Sequence, residues 1–391
     1  MNSQLKIQHD GSLMPTYGRF PVALVSGQGA VARDDAGKSY IDFGSGIGVN
    51  ALGYCDSGWL EAVMTQAATL QHISNLYYSP VQIELAEALC RATGMDKVFL
   101  CNSGAEANEC AIKLARKYSF DKYGAGRNTI VGMQNSFHGR TVTTLSATGQ
   151  DSFHQSFFPF TEGFTFAEAG NLDDLTARLD DSVCAVMLEC IQGEGGVVPL
   201  PADYLRAVRR LCTERDILLI VDEVQTGAAR TGKFLACEHA EVLPDIVTMA
   251  KGLGGGLPIG ACLCVPALAE VLSAGSHGST FGGNPVACAA ARYMVGRLSD
   301  PAFLAEVTRK GALVRSRLEA MPHVKEVRGL GLMLGVVLDS GTAREVAESC
   351  LEGGLLILTA KTLLRLLPPL NISDEELTSG LDILENVLRA L

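Results

Sequence analysis

From residue 97 to residue 265 the chain repeats one pattern: a short apolar run, a helical or polar stretch, then another apolar run. "KVFLC" (97–101), "NTIVGM", "VCAVMLE", "ILLIVDE", "DIVTMA" and "GACLCV" have the length and composition of buried strands. "GAEANECAIKLARKYS" (104–119) carries apolar residues at helical spacing and basic residues in its last turns. "PADYLRAVRRLCTERD" (201–216) is amphipathic with the same period. Strands alternating with helices predict an α/β fold, a mostly parallel central sheet covered by helices on both faces. Ligands of such sheets bind at the carboxyl ends of strands. Chemistry is therefore expected where the apolar runs stop.

The flanks read differently. "GAVARDDAGKSYIDF" predicts two strands joined by a turn at Asp35-Ala36-Gly37. The last hundred residues predict a helix from about 301 to 320, strands near 324–329 and 332–338, and a terminal helix from about 374. The expected organisation is a large domain over 46–280 and a smaller α+β domain built from both ends, 1–45 and 281–391. A chain of 391 residues is long enough for both.

A net charge of −11 disfavours nucleic acid and anionic membranes as partners. The twelve cysteines include no C-x-x-C pair, and the seven histidines make no ligand pattern with them, so no metal is expected. Free, mostly buried thiols are expected instead. The opening "MNSQLKIQHDGSLMP" lacks the apolar core of a signal peptide, and no apolar run is long enough to span a bilayer. The expected location is the cytoplasm.

Three runs end in charge. "ILLIVDEVQTG" ends in Asp222 and Glu223, "VMLECIQGEGG" in Glu189 followed by Glu194, and "TMAKGLGGGLPIG" places Lys251 directly after its strand. A carboxylate at the end of a buried strand is costly unless paired, and a cap or salt bridge accounts for one such residue taken alone. Two acids and a lysine delivered to one sheet edge ask for more. The order in "AKGLGGG" is not that of a nucleotide P-loop, where lysine follows the glycines. A lysine in a partly dry pocket has a lowered pKa and forms a Schiff base with an aldehyde. Pyridoxal phosphate is attached in this way, with an acid on its pyridinium nitrogen. Lys251 and Asp222 suit those two roles.

"CNSGAEANE" ends a strand and opens a helix at Ser103-Gly104-Ala105, where free N–H groups and the positive helix end suit a phosphate. An ordinary Ser cap with Glu106 completing a capping box is compatible with that use. "NSFHGRT" places Phe137, His138 and Arg140 in a loop. Phe137 suits stacking on an aromatic ring, and Arg140 a two-pronged bond to a carboxylate. A core aromatic and a surface arginine are the plain alternatives, and His138 is read as structural.

With these residues in hand, the chain is similar to the class III, fold-type I pyridoxal-phosphate aminotransferases. Within them it resembles the acetylornithine aminotransferases. The likeness runs from "TYGRFPVALVSGQGA" to "LRLLPPLNIS", with "NSGAEAN", "FHGRT", "IQGEGG", "DEVQTG", "AKGLGGGLPIGA" and "GSTFGGNP" in the family's order. The resemblance implies a homodimer with active sites at the subunit interface. It assigns Lys251 the cofactor linkage and the proton shuttle, Asp222 the pyridine nitrogen, and Gln225 the ring hydroxyl. Ser103, Gly104 and Ala105 would hold the phosphate, with Thr280 reaching it from the neighbouring subunit. Phe137 and Val224 would cover the two ring faces. Arg140 would bind the carboxylate of N-acetylornithine, Arg365 the α-carboxylate of glutamate, and Ser279 would also contact substrate. Glu194 would pair with Arg365 for the first substrate and release it for the second.

The implied reaction is transfer of an amino group from N2-acetyl-L-ornithine to 2-oxoglutarate in arginine biosynthesis. Sister ω-aminotransferases acting on succinylornithine, succinyl-diaminopimelate, ornithine or 4-aminobutyrate, and a pyridoxal-phosphate aminomutase, remain as alternatives. Departures from the family pattern at Cys190 and at "YCDS" (Tyr54 to Ser57) touch no assigned role and are read as packing variation. Ile47 lies near a position where ornithine enzymes tend to carry a tyrosine. An isoleucine makes no hydrogen bond to a free amine, which favours an acylated substrate.

Overall fold

The computed structural model describes residues 3–391. Its centre is a seven-stranded sheet in the order Lys97–Cys101, Gly260–Cys264, Ile246–Met249, Leu218–Asp222, Val183–Leu188, Thr129–Met133, Phe164–Ala167. Gly260–Cys264 runs antiparallel to both neighbours, and the other strands are mutually parallel. The exception has a simple cause. The segment 250–259 before it is spent on the turn at Lys251 and on a loop, leaving no helix to cross over. The edge strand Phe164–Ala167 lies outside the expected runs, since only its last residue is buried.

Every residue of Val183–Leu188 and Leu218–Asp222 is buried. Each such apolar side chain contributes about 1.5–3 kcal/mol. Ile220 pairs with Met187 on one side and Ile246 on the other. That register sends Glu189, Asp222 and Lys251 out along one edge. Helix Gly104–Tyr123 covers one face, burying Ala107, Cys110, Ala111 and Leu114. Helix Ala202–Glu214 buries Tyr204, Leu205, Val208 and Cys212, the apolar stripe visible in its sequence.

The chain ends build two further four-stranded sheets. One joins Leu24–Gln28, Val31–Asp34 and Ser39–Asp42 to Leu355–Leu356, with Leu355 parallel to Ile41. Its turn is fixed by Asp34, whose Oδ1 accepts from Ala36 N at 3.0 Å and Lys38 N at 2.8 Å. The other joins Val324–Leu330, Met333–Leu338, Leu363–Leu366 and Leu358–Ala360, all antiparallel. Helices Pro301–Glu319 and Asp374–Arg389 match the expected ones within a residue.

Helices Ser57–Thr69 and Pro80–Thr93, which pack on Pro285–Leu298, are not announced by the sequence pattern. Ser57–Thr69 buries none of its residues fully, so it shows no apolar stripe. Of the departures from the family pattern, Tyr54 donates to Asp42 Oδ2 at 2.7 Å and Cys190 is buried beside Glu223. All twelve cysteines are unpaired, and all but Cys55 and Cys90 are buried. Among the described residues, no helix is long and apolar enough to cross a membrane.

Gly380, inside the last helix, faces the fully buried ring of Phe43, and a Cβ there would overlap the ring. Gly380→Val is therefore expected to lower stability by about 1–3 kcal/mol, read as an earlier midpoint in urea. An unchanged midpoint would show that the helix does not hold the N-terminal segment in this way.

Candidate active site

A cavity of about 410 Å³ opens at the carboxyl edge of the sheet. Glu189, Asp222 and Lys251 reach it from three strand ends. Ser103, Gly104 and Ala105 reach it from a helix start, Phe137, His138 and Arg140 from one loop, and Val224 and Gln225 from another.

Asp222 is buried and fully bonded. Its Oδ2 accepts from Asn108 Nδ2 and from His138 Nδ1, both at 2.8 Å, and its Oδ1 from Val224 N at 2.9 Å. An ionised carboxylate has no proton to donate, so His138 carries hydrogen on Nδ1. Burial disfavours the imidazolium, but Asp222 outweighs it and holds His138 above the ordinary histidine range. Asn108 is itself locked, donating to the His138 carbonyl at 2.8 Å and accepting from Thr248 Oγ1 at 2.7 Å. The acidic pair after the strand divides its work. Glu223 points away, accepting from Cys237 N at 2.8 Å and from the Thr226 hydroxyl. Glu189 ties two loops together, accepting from Phe137 N at 2.9 Å and Gly193 N at 3.1 Å, and burial pushes its carboxyl up.

Lys251 takes a left-handed φ of 46° one residue past its strand, after Ala250. Among the described residues it forms no ion pair. Desolvation pulls its pKa below the ordinary lysine value, with Glu194 pulling the other way.

The helix start is shaped to approach the loops around it. A Cβ on Gly104 would lie 2.7 Å from Val224 Cγ1, and one on Gly139, whose φ is 144°, would lie 2.8 Å from Ala105 Cβ. The N–H groups of Gly104 and Ala105 have no acceptor within the helix. These residues fit pyridoxal phosphate: a free amine for its aldehyde, a held carboxylate for its ring nitrogen, helix N–H groups for its phosphate, and Phe137 and Val224 for its faces.

Arg365 lies on strand Leu363–Leu366, and its Nη1 meets Glu194 Oε1 at 2.5 Å and Gln225 Oε1 at 3.2 Å. Burial favours a neutral Glu194, but Arg365 overrides it and keeps the carboxyl below the ordinary range. Neither residue forms part of the cavity wall, and both adjoin it through Gln225. Arg140 is exposed, with its guanidinium 4.4 Å from the centre of the Phe153 ring. Ser279 accepts from Asn102 Nδ2 at 3.1 Å and Gly282 N at 3.0 Å, which closes a loop outside the cavity. Thr280 is exposed and also off the wall. Ile47, expected near the substrate, is 43% exposed in a left-handed turn, and it is Val49 that lines the cavity.

Two residues matter more than their sequence signals. Asn108 is a polar residue on the buried face of its helix, and that misplacement is the clue. His138, taken as structural, is the partner of Asp222.

A buried lysine and a held aspartate face one cavity on this sheet, an arrangement that fits a pyridoxal-phosphate enzyme. Residues 13–388 match the family described as aminotransferase class-III, and the chain belongs to that family. It is 53% identical over 389 residues, 99% of each chain, to the acetylornithine aminotransferase of Haemophilus ducreyi. The structure of N-acetylornithine aminotransferase from Stenotrophomonas maltophilia K279a matches with a TM-score of 0.85 and 39% identity, covering 99% of this chain and 98% of that one. An ornithine aminotransferase structure from Toxoplasma gondii, with PLP at partial occupancy in its active site, matches with a TM-score of 0.95 and 34% identity, covering 100% and 95%.

Asn108→Ala removes a donor to Asp222 and an acceptor for Thr248 together. The expected cost is about 1–3 kcal/mol of folding stability, measured by chemical denaturation of the cofactor-free protein. A loss well under that range would mean that Asp222 finds its donors elsewhere.

Proposed function

We propose that this chain transfers the terminal amino group of N2-acetyl-L-ornithine to 2-oxoglutarate, using pyridoxal 5'-phosphate, to give N-acetyl-L-glutamate 5-semialdehyde and L-glutamate in arginine biosynthesis. The observation that carries the chemistry is Lys251, without an ion-pair partner among the described residues and with its pKa lowered by burial, across one cavity from the triply bonded Asp222. The choice of donor rests on the acetylornithine enzymes that this chain resembles over its full length.

When bound, pyridoxal phosphate supplies an aldehyde for the amine and a ring that takes up electrons as the donor carbon loses its proton. Lys251 would hold the cofactor through its amine, and the same amine would serve as the base that moves a proton at the substrate carbon. Asp222, which accepts hydrogen bonds from Asn108, His138 and Val224, would face the ring nitrogen, and Gln225 would face the ring hydroxyl. Arg140 takes the carboxylate of the amine donor. Arg365, masked by Glu194 for that donor, takes the α-carboxylate of the keto acid once the pair opens. The two substrates place their carboxylates at different distances from the reacting carbon, and a switchable ion pair lets one cavity serve both.

The active unit in this reading is a homodimer. Leu76, Tyr77, Tyr78 and Phe281 are more than half exposed and lie together, for Asn75 bonds the carbonyls of Ser279 and Gly282. Thr280, beside Phe281 and outside its own cavity, is free to reach a neighbouring subunit's phosphate. This reading keeps the expected division, with 46–280 as the large domain and the chain ends, within 1–45 and 281–391, as the smaller one. The unpaired thiols suit a reducing compartment such as the cytoplasm.

The deciding measurement is the visible absorption of the purified, cofactor-loaded protein. The cofactor band is expected to bleach with N-acetylornithine alone and to return with 2-oxoglutarate. Bleaching only with ornithine, 4-aminobutyrate or a succinylated amine would move the donor and keep the family, and kcat/KM across these amines ranks them. Recovery without any keto acid would indicate an aminomutase. Lys251→Ala is expected to reduce turnover to background, and near-normal activity in it would overturn the mechanism. Glu194→Gln is expected to lower KM for 2-oxoglutarate and raise it for the amine donor, and parallel changes in both would refute the ion-pair gate.

A further inference from the structure

Arg230 is 2% exposed, yet among the described residues no carboxylate pairs with it and no neighbouring charge offsets its burial. A buried cation without a counter-ion is costly, so its hydrogen bonds must do something for the fold around it. Arg230 follows Asp222 and Gln225 on one loop, whose Ala228 and Ala229 take left-handed φ values of 53° and 69°. That backbone conformation is unfavourable for alanine, and it turns the chain so that Arg230 meets the other end of the protein.

The contacts made there are specific. Arg230 Nη1 donates to Leu332 O at 3.0 Å and to Pro368 O at 2.6 Å. The Arg230 carbonyl accepts from Leu332 N at 3.0 Å. Gly331 seats directly on the same loop, since a Cβ there would lie 2.5 Å from the Thr231 carbonyl carbon. Leu332 immediately precedes strand Met333–Leu338, and Pro368 follows strand Leu363–Leu366. These two strands are antiparallel neighbours, with Arg365 paired to Gly335. One nitrogen therefore grips both strands at the same end, three residues beyond Arg365. Gln225 touches the Arg365 guanidinium from the same loop.

We propose that Arg230 is a positioning residue for the keto-acid substrate. It fixes the strand that carries Arg365 at the spacing from the Asp222–Gln225 loop at which Arg365 meets an α-carboxylate. The proposal rests on Arg365 as the site of that carboxylate. Placement errors near an ångström are enough to degrade a bound geometry severely. The amine donor's carboxylate goes to Arg140, on a different loop, and does not depend on this strut.

The test compares Arg230→Met, Arg230→Lys and Arg365→Lys in the cofactor-loaded enzyme, with KM for 2-oxoglutarate and for N-acetylornithine measured separately. Arg230→Met is expected to raise KM for 2-oxoglutarate about tenfold and to leave KM for the amine within about twofold. Arg230→Lys, which keeps the charge with a shorter reach, should fall between, and it carries the comparison if Arg230→Met does not fold. In an Arg365→Lys background, Arg230→Met should add no further loss. Equal rises for both substrates, a fall in kcat alone, additive losses, or a lower Tm with unchanged kinetics would each overturn the role of Arg230. An unchanged 2-oxoglutarate KM in Arg365→Lys would overturn the assignment of Arg365, and this proposal with it.

Discussion

Asp222 is a carboxylate at the end of the middle strand of a mostly parallel sheet, where it is buried. Left unbonded it would cost several kcal/mol or take up a proton. Its bonds come from three places: a helix start through Asn108, a separate loop through His138, and its own chain through Val224. Hydrogen bonds to a charged group contribute about 1.5–3 kcal/mol each. The elements that wall the cavity are thus fastened to one residue. The helix start at Gly104 is held in register with the acid, because Asn108 lies one turn beyond Gly104 on the same helix. A change that loosens the acid also loosens that helix start.

The sequence reveals the strand ends because apolar runs stop abruptly on charged residues. It does not reveal which runs lie side by side, since register follows from pairings between distant segments. The partners of Asp222 stay hidden for the same reason. His138 and Asn108 lie 84 and 114 residues from it in sequence. The Glu194–Arg365 pair spans 171 residues and is legible only through the likeness to known families. Ser57–Thr69 is hidden for another reason: a helix that buries no residue completely has no pattern to show.

The same backbone serves enzymes described as acting on ornithine and on acetylornithine, so the fold does not choose the donor. Val49 lines the cavity, while the more conspicuous Ile47 is 43% exposed. The backbone fixes the placement of Lys251, Asp222 and the helix start at Gly104 around one cavity.

The short parallel pairing of Leu355 with Ile41 makes one sheet out of the two ends of the chain. During synthesis the N-terminal strands emerge long before the segment that completes them, and they must wait exposed at the edge of an unfinished sheet. The central sheet has all its strands by residue 264 and need not wait. Closing the outer sheet late carries the entropy of joining distant segments, so its assembly should follow the centre rather than nucleate it. In a growing chain, an early-made edge of this kind is the part most in need of protection from neighbouring chains.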